Sequence, residues 1–439
     1  MLVNVKDGGK LTTSSLTLQY DNDVSSNVMI NVLPGGSYTS DEGTLLKGYS
    51  SYYRGTGVKV QGAAGKTTEF IMNGGTITRE SVGVSIVGVN TDDTIFTMNG
   101  GSITDNSRYS ESGYGGGVYI SNARMNMTGG TISSNVSSYG YYNGCGGGIY
   151  ALGSNTAINI SGGSITKNTA KPSSGNSSSS SYTAYGGGIY MGGGILRLSG
   201  NVTISENSGI GGYAYGGGIY IGSSCELVMD GGTISANTLT GSYSTGRQGA
   251  GIYNYRGKLT INGGIIEKNT NAYYGGGIYS STSSGSTSIT GGLIQSNEST
   301  YGAGLYLAGG SSVNPLTISG GIIQKNTGQY GGGLYNDSGY VMISQGVEVK
   351  ENKAQTNGGG IWNSGGSLKV DKAVVKENTA QNGAGAYVSS GTVYFENAEI
   401  SSNTAINNGG GVLTSGGATY FGTGPSFTDN KAVLGSTCY

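Results

Sequence analysis

Residues 275–306 read GGGIYSSTSSGSTSITGGLIQSNESTYGAGLY, and this stretch decides the fold. It opens and closes on one signature, Gly-Gly/Ala-Gly-apolar-Tyr, at Gly275–Tyr279 and Gly302–Tyr306. Between them lies a second, Gly-Gly-x-Ile-x-x-Asn, which ends at Asn297. The segments between glycines are short and alternate in polarity. Related copies such as KLTINGG and NPLTISGG are rich in Ile, Val and Thr, the pattern of strands. No long segment has a period of 3.6 residues, which excludes helical repeats of similar length.

Both signatures run far beyond this window. The first recurs at Gly115–Tyr119, Gly146–Tyr150, Gly186–Tyr190, Gly216–Tyr220 and Gly249–Tyr253, and again from Gly331–Tyr335 to Gly409–Leu413. The second ends in clear copies at Asn106, Asn135, Asn168, Asn237, Asn269, Asn297 and Asn326, and in drifted copies at Asn207, Asn352, Asn378, Asn403 and Asn430. A degenerate copy, NGGTITRE, puts Glu80 in the Asn position. Twelve Asn ends plus Glu80 make thirteen recognisable coils.

Successive Asn positions lie 29, 33, 39, 30, 32, 28, 29, 26, 26, 25 and 27 residues apart. A floor with variable excess is the behaviour of stacked coils carrying loop insertions. One such coil cannot bury its apolar face alone, whereas stacked coils bury a continuous core. The expected fold is therefore all-β, a right-handed single-stranded parallel β-helix solenoid. The repeats span residues 71–439, after an irregular N-terminal start or cap over residues 1–70. Inward Ile, Val and Leu form two ladders, one running from Val118 to Ile361 and one from Ile77 to Ile323. Asn suits a turn, and its amide can bond the equivalent amide one coil away.

Composition narrows the function. The chain has 439 residues, 88 of them Gly, 33 Tyr, 4 Pro and no His, with a net charge of −1. Glycine without a strict three-residue period excludes collagen, and near-neutral charge argues against a nucleic-acid surface. The three cysteines, Cys145, Cys225 and Cys438, have neither disulfide-framework nor metal spacing. No apolar run reaches membrane-spanning length, so no membrane insertion by this segment is expected. The start, MLVNVKDGGKL, lacks the apolar core of a signal peptide, and the chain stops just after an Asn that elsewhere leads into a new coil. Both suggest a piece of a longer protein.

The linkers from each Asn to the next glycine turn hold 8, 10, 17, 8 and 11 residues in the first five cases. The next six hold 5, 4, 4, 5, 4 and 5. All leave the coil at one corner, so the long ones, at 107–114, 136–145, 169–185, 208–215 and 238–248, gather on one edge. They are made of Tyr, Ser, Gly and Asn, the chemistry of antibody-type binding loops. Candidate ligand contacts are Tyr139, Tyr141, Tyr142, Tyr182, Tyr185, Tyr213, Tyr215, Tyr243 and Arg247, with Tyr273 and Tyr274 at the margin. A second Tyr row, from Tyr119 through Trp362 to Tyr387, points outward from the strand after the glycine turn. Stacking between coils is its simplest use.

Catalytic constellations are missing from the sequence. Glycoside hydrolysis needs paired carboxylates, and lyase chemistry needs grouped acids with a base. The residue before each conserved Asn forms a mixed-sign row, placing Lys167 beside Glu206 and Lys325 beside Glu351, which reads as a solvated face. No catalytic residue, cofactor or metal site is expected.

The repeated GG[GA][ILV] with an apolar-x-x-Asn tetrapeptide resembles the repeats of chlamydial-type polymorphic outer membrane proteins and related pectin-lyase-like bacterial surface proteins. SFTDN at Ser426–Asn430 is the closest match, and the likeness covers roughly residues 70 to 430. It implies an adhesin or passenger segment, secreted or held at the cell surface. The expected partner is a host or environmental glycan or surface protein, bound non-catalytically. A carbohydrate-active β-helix enzyme and a purely structural spacer are the alternatives.

Overall fold

The computed structural model describes residues 2–20, 27–49, 55–108, 115–138, 143–172, 182–282 and 285–433. It is nearly all β, a parallel solenoid of about 14 turns. Each turn contributes one strand to each of three parallel sheets, and shorter strands line the corner after the conserved Asn. The chain divides into two compact units. The first comprises Met1–Leu227 with Leu239–Gly246, the second Val228–Thr238 with Arg247–Tyr439.

The apolar ladders run in register inside each unit. In the first, Val84, Val118, Ile149, Ile189 and Ile219 are successive partners in one sheet. Ile77, Ile103, Ile132, Ile165 and Ile204 are partners in another. In the second unit the equivalent columns are Ile252, Ile278, Leu305, Leu334 and Ile361, and Ile234, Ile266, Ile294 and Ile323. All are buried. Alternation along each strand turns these residues inward and their neighbours out. Each buried aliphatic side chain contributes about 1.5–3 kcal/mol.

Regular coils begin ahead of the sequence signatures. Val3–Val5, Val28–Val32, Thr56–Gln61 and Val82–Val87 already pair as neighbours, aligning Val5, Val32, Val60 and Ile86. In the adjoining sheet Tyr38, Phe70 and Phe96 stack at 5.0 and 4.9 Å between ring centroids, fully buried. Residues 1–70 look irregular in sequence because their turns use other residues, including Gly35 and Gly43 at φ +86° and +75°. Their inward alternation is intact.

The conserved asparagines are buried and hydrogen-bonded in columns. Asn135 Oδ1 accepts from both the backbone N (3.0 Å) and Nδ2 (2.9 Å) of Asn106, whose Nδ2 also donates back to Ile77 O (3.2 Å). The pattern repeats from Asn135 to Asn168 and from Asn168 to Asn207 in the first unit. In the second unit it links Asn237, Asn269, Asn297, Asn326, Asn352, Asn378, Asn403 and Asn430. The residue before every Asn is left-handed although none is glycine. Asp105, Lys167, Ala236, Lys325 and Glu377 have φ of 55, 58, 53, 55 and 57°. Such a conformation costs of order 1–3 kcal/mol per residue. The amide column offsets it by satisfying backbone groups that the turn would otherwise bury unpaired.

Glu80 stands in the Asn position of the first unit. Its backbone N donates to Asn106 Oδ1 (3.0 Å), as an Asn there would. Its side chain is fully buried and neither carboxyl oxygen has a partner among the described residues. Burial pushes the carboxyl up to about 9. The Tyr20 hydroxyl, also buried and unpartnered, faces it and is raised by burial and by Glu80.

Two outcomes follow. Asn297→Ala strips the acceptor from Asn269 N and the donor from Ile266 O, and should cost about 2–5 kcal/mol. The readout is a lowered urea midpoint together with faster hydrogen exchange at the Asn269 amide. For Glu80 the folded pKa lies above the unfolded value of 4.5. The unfolded chain therefore ionises first, and wild-type stability falls as pH rises from about 4.5 to 9, by at most about 1.4 kcal/mol per pH unit. Glu80→Gln should be the more stable protein, with the gap in melting temperature widening between pH 5 and 9. A gap that stays constant with pH would show that Glu80 does not titrate within this window.

Candidate functional site

The corner with the tyrosines is built by its glycines. In the turn at 302–304, Gly302 has φ +61°, and a Cβ there would lie 2.3 Å from Leu305 O. The same holds at Gly186, whose Cβ would meet Ile189 O at 2.2 Å. At Gly276 and Gly277 a Cβ would strike carbonyl oxygens of the adjoining coil at 2.6 and 2.7 Å. Only glycine gives both the left-handed turn and this close approach of backbones. The turn carries nothing larger than an alanine methyl, and aromatic residues flank it before and after in the chain.

One row follows the turn on the outward face of the next strand. In the first unit Tyr119, Tyr150, Tyr190 and Tyr220 stack at 6.0, 4.9 and 5.0 Å. In the second unit Tyr253, Tyr279, Tyr306 and Tyr335 stack at 4.9, 5.1 and 5.1 Å, and Trp362 and Tyr387 continue the row with tilted rings. Tyr150, Tyr220, Tyr253, Tyr306 and Tyr335 are buried and the rest of the row is half-buried. Face-to-face rings cover one another and present edges and hydroxyls outward, so stacking is the main role of this row.

The other row sits immediately before the turn, at Tyr185, Tyr215, Tyr274, Tyr301 and Tyr330. In the first unit Tyr185 stacks on Tyr215 (5.5 Å) and meets Tyr220 edge-on (5.2 Å, 77°). Tyr213 lies against Tyr215 (6.3 Å) and Tyr243 (5.3 Å), and Tyr182 O accepts from Tyr213 N. Tyr243 is 39% exposed. In the second unit Tyr273 and Tyr274 meet Tyr301 at 5.2 and 5.4 Å, and Tyr301 meets Tyr330 at 4.8 Å. This row then locks diagonally onto the other, Tyr274 on Tyr306, Tyr301 on Tyr335 and Tyr330 on Trp362. The result in each unit is a strip two rings wide, half-exposed along the row before the turn.

The long linkers leave together, as expected. Their stems pair in register: Ser107–Arg108, Val136–Ser137, Thr169–Ala170 and Ser208–Gly211 are neighbours in one corner sheet, and Asn143–Cys145, Thr183–Tyr185 and Tyr213–Tyr215 in another. Tyr139, Tyr141 and Tyr142 lie outside the described residues, as do parts of the linkers at 107–114, 136–145 and 169–185. Of the other candidates, Tyr182, Tyr185, Tyr213, Tyr215 and Tyr243 come together in the first unit. Tyr273 and Tyr274 do so in the second. Arg247 belongs to the second unit, half-buried, with its Nε lacking a partner among the described residues.

Sequence reasoning missed Tyr301 and Tyr330 because their linkers are short. The signal was present: each directly precedes the glycine turn, as Tyr185, Tyr215 and Tyr274 do. Several acids elsewhere pair with lysine across or along the coils. Lys167 lies 3.9 Å from Glu206, Lys325 3.5 Å from Glu351, and Lys369 bridges Glu396 (2.5 Å) and Asp371 (3.6 Å). Glu348 is held below its ordinary range by Lys350 and Lys376. Among the described residues no three His, Cys, Asp or Glu side chains converge as metal ligands, and no helix is long and apolar enough to cross a membrane.

Comparison with family models, with curated proteins and with solved structures found no match. The parallel solenoid stands on its own geometry, and the likeness to polymorphic outer membrane proteins rests on the tetrapeptides alone.

The strip has a titration signature. Burial and the Asp337 charge push the Tyr279 phenol up to about 12, and burial leads the rise at Tyr274, Tyr301, Tyr306 and Tyr335 as well. These phenols stay protonated donors at neutral pH. Phenolate absorbance should therefore lag that of the urea-unfolded chain, and stability should fall as pH climbs from 10 towards 12, because the unfolded tyrosines ionise first. Coincident folded and unfolded titration curves would contradict the packing of the strip.

Proposed function

We propose that this chain is a non-catalytic binding segment, displayed outside the cell, that recognises glycan along its tyrosine-lined corner. One observation carries the reading. Beside glycine turn after glycine turn, a tyrosine is placed where its ring is held by neighbours yet half-exposed. Stiff aromatic rings offer contact area at low entropic cost, and their hydroxyls supply donors. Sugars present C–H faces and hydroxyls, which match both. The neutral, hydroxyl-rich composition supports binding over hydrolysis. Secretion or surface attachment belongs to the same reading, supported by the composition and by the likeness of the repeats.

A glycan array probed with the full chain tests this. Tyr301→Ala with Tyr330→Ala, and separately Tyr213→Ala with Tyr243→Ala, should each weaken a positive signal at least about tenfold. Far-UV circular dichroism identical to wild type controls for folding. Binding unchanged by all four substitutions would overturn the tyrosine corner as the site. Shortening of a polysaccharide during incubation would replace the reading with an enzyme, and no binding at all would leave a spacer.

A further inference from the structure

Asp337 breaks a repeat at the edge of the second unit's strip. It follows the strand Leu334–Asn336. Asn336 is buried, so Tyr335 and Asp337 flank it on the outward side. Register aligns Asn336 with Asn363 and Asn363 with Val388, so the slot after each holds Asp337, Ser364 and Ser389 in successive turns. That slot has a defined use. Trp362 reaches one turn onward, and its Nε1 donates to Ser389 Oγ at 2.7 Å. The Tyr335 hydroxyl likewise hydrogen-bonds the serine one turn onward, Ser364. By the same register, the residue leaning towards Asp337 is Tyr306, and there the serine is replaced by a carboxylate.

This carboxylate has little to hold it. Among the described residues Asp337 forms no salt bridge, whereas Glu348, Glu351, Asp371 and Glu396 do and Glu377 and Glu399 do not. Its one side-chain hydrogen bond is a long one, 3.5 Å from Ser338 Oγ. It acts electrostatically on the hydroxyls of Tyr274, Tyr279, Tyr306 and Tyr335, and no lysine or arginine acts on them. An acid against low-dielectric aromatic surface favours a cation, and ring faces do likewise. A polyanion laid here would meet repulsion with nothing to neutralise it.

We infer that the strip of the second unit is a site for a sugar polymer bearing free amines, its ammonium group held by Asp337 and its rings meeting the outward edges and hydroxyls of Tyr274, Tyr301 and Tyr330. This deepens the glycan reading above and rests on it. One ligand chemistry supplies both requirements: C–H groups and hydroxyls for the ring edges and phenol hydroxyls, and a charge-assisted hydrogen bond for a carboxylate without a salt bridge among the described residues.

Trp362, the sole tryptophan of the chain, touches Tyr330 and Tyr335 and reports binding through its fluorescence. The full chain is titrated with glucosamine hexamer, N-acetylglucosamine hexamer, galacturonate hexamer and lysine hexamer. The expected result is binding of the glucosamine hexamer at least about tenfold tighter than its N-acetylated form, no measurable binding of galacturonate, and weakening with added salt. Asp337→Asn and Asp337→Ser should both abolish the preference for the free amine. The second restores the residue of the next two turns, so it should fold as wild type. Equal affinity for the two glucosamine forms, or a preference that survives both substitutions, overturns the inference. If Tyr301→Ala still loses the N-acetylated form, the glycan reading stands without it. Tighter binding of the lysine peptide than of any sugar overturns both, as does binding of none of the four.

Discussion

Within each unit, a column of buried amides holds the coils in register. Inside a column, an asparagine donates twice to the next and once to a carbonyl behind it, in a turn shielded from water. A coil displaced by one residue would lose all three bonds and turn its Ile and Val outward together. Hydrophobic burial provides most of the stabilisation, but burial is tolerant of sliding. The asparagines are not, and they make one stacking arrangement better than its neighbours. They also explain why Lys, Glu, Asp, Ser and Ala can all occupy the left-handed position just before them. The strain is met by bonds that no other position can make.

The glycine turn and the tyrosine strip are two consequences of the same crowding. Where backbones approach so closely that a Cβ would meet carbonyl oxygens, only the smallest residues fit. Large flat residues flank the turn on either side. The row after the turn is taken up largely by stacking, ring upon ring. The row before it is only partly consumed, which leaves half-exposed phenols along an otherwise closed surface. Structure and recognition thus share residues, and the division between them is set by ring orientation.

Much of this was legible in the residues. Spacing of the Asn ends gave parallel coils, and the positions of Ile77 to Ile323 and of Val118 to Ile361 gave the inward columns. The cross-coil pairs Lys167–Glu206 and Lys325–Glu351 were also readable, because register follows from the repeat. What escaped was context-dependent. The coils over residues 3–61 use Pro34-Gly35-Gly36 and Asp41-Glu42-Gly43 turns, so no motif announced them. Tyr301 and Tyr330 hid in linkers of ordinary length. Nothing local marks Asp337 as different from any surface acid, since its meaning lies in Ser364 and Ser389 occupying its slot one and two turns away.

The linkers vary from 4 to 17 residues while the strands that flank them keep their partners. Loop length at this corner is therefore uncoupled from the fold. Insertions there change what the surface displays without asking the core to readjust. A lineage under pressure to alter its outward face could do so at this one place, turn by turn, and an engineer grafting foreign peptides would find the same freedom.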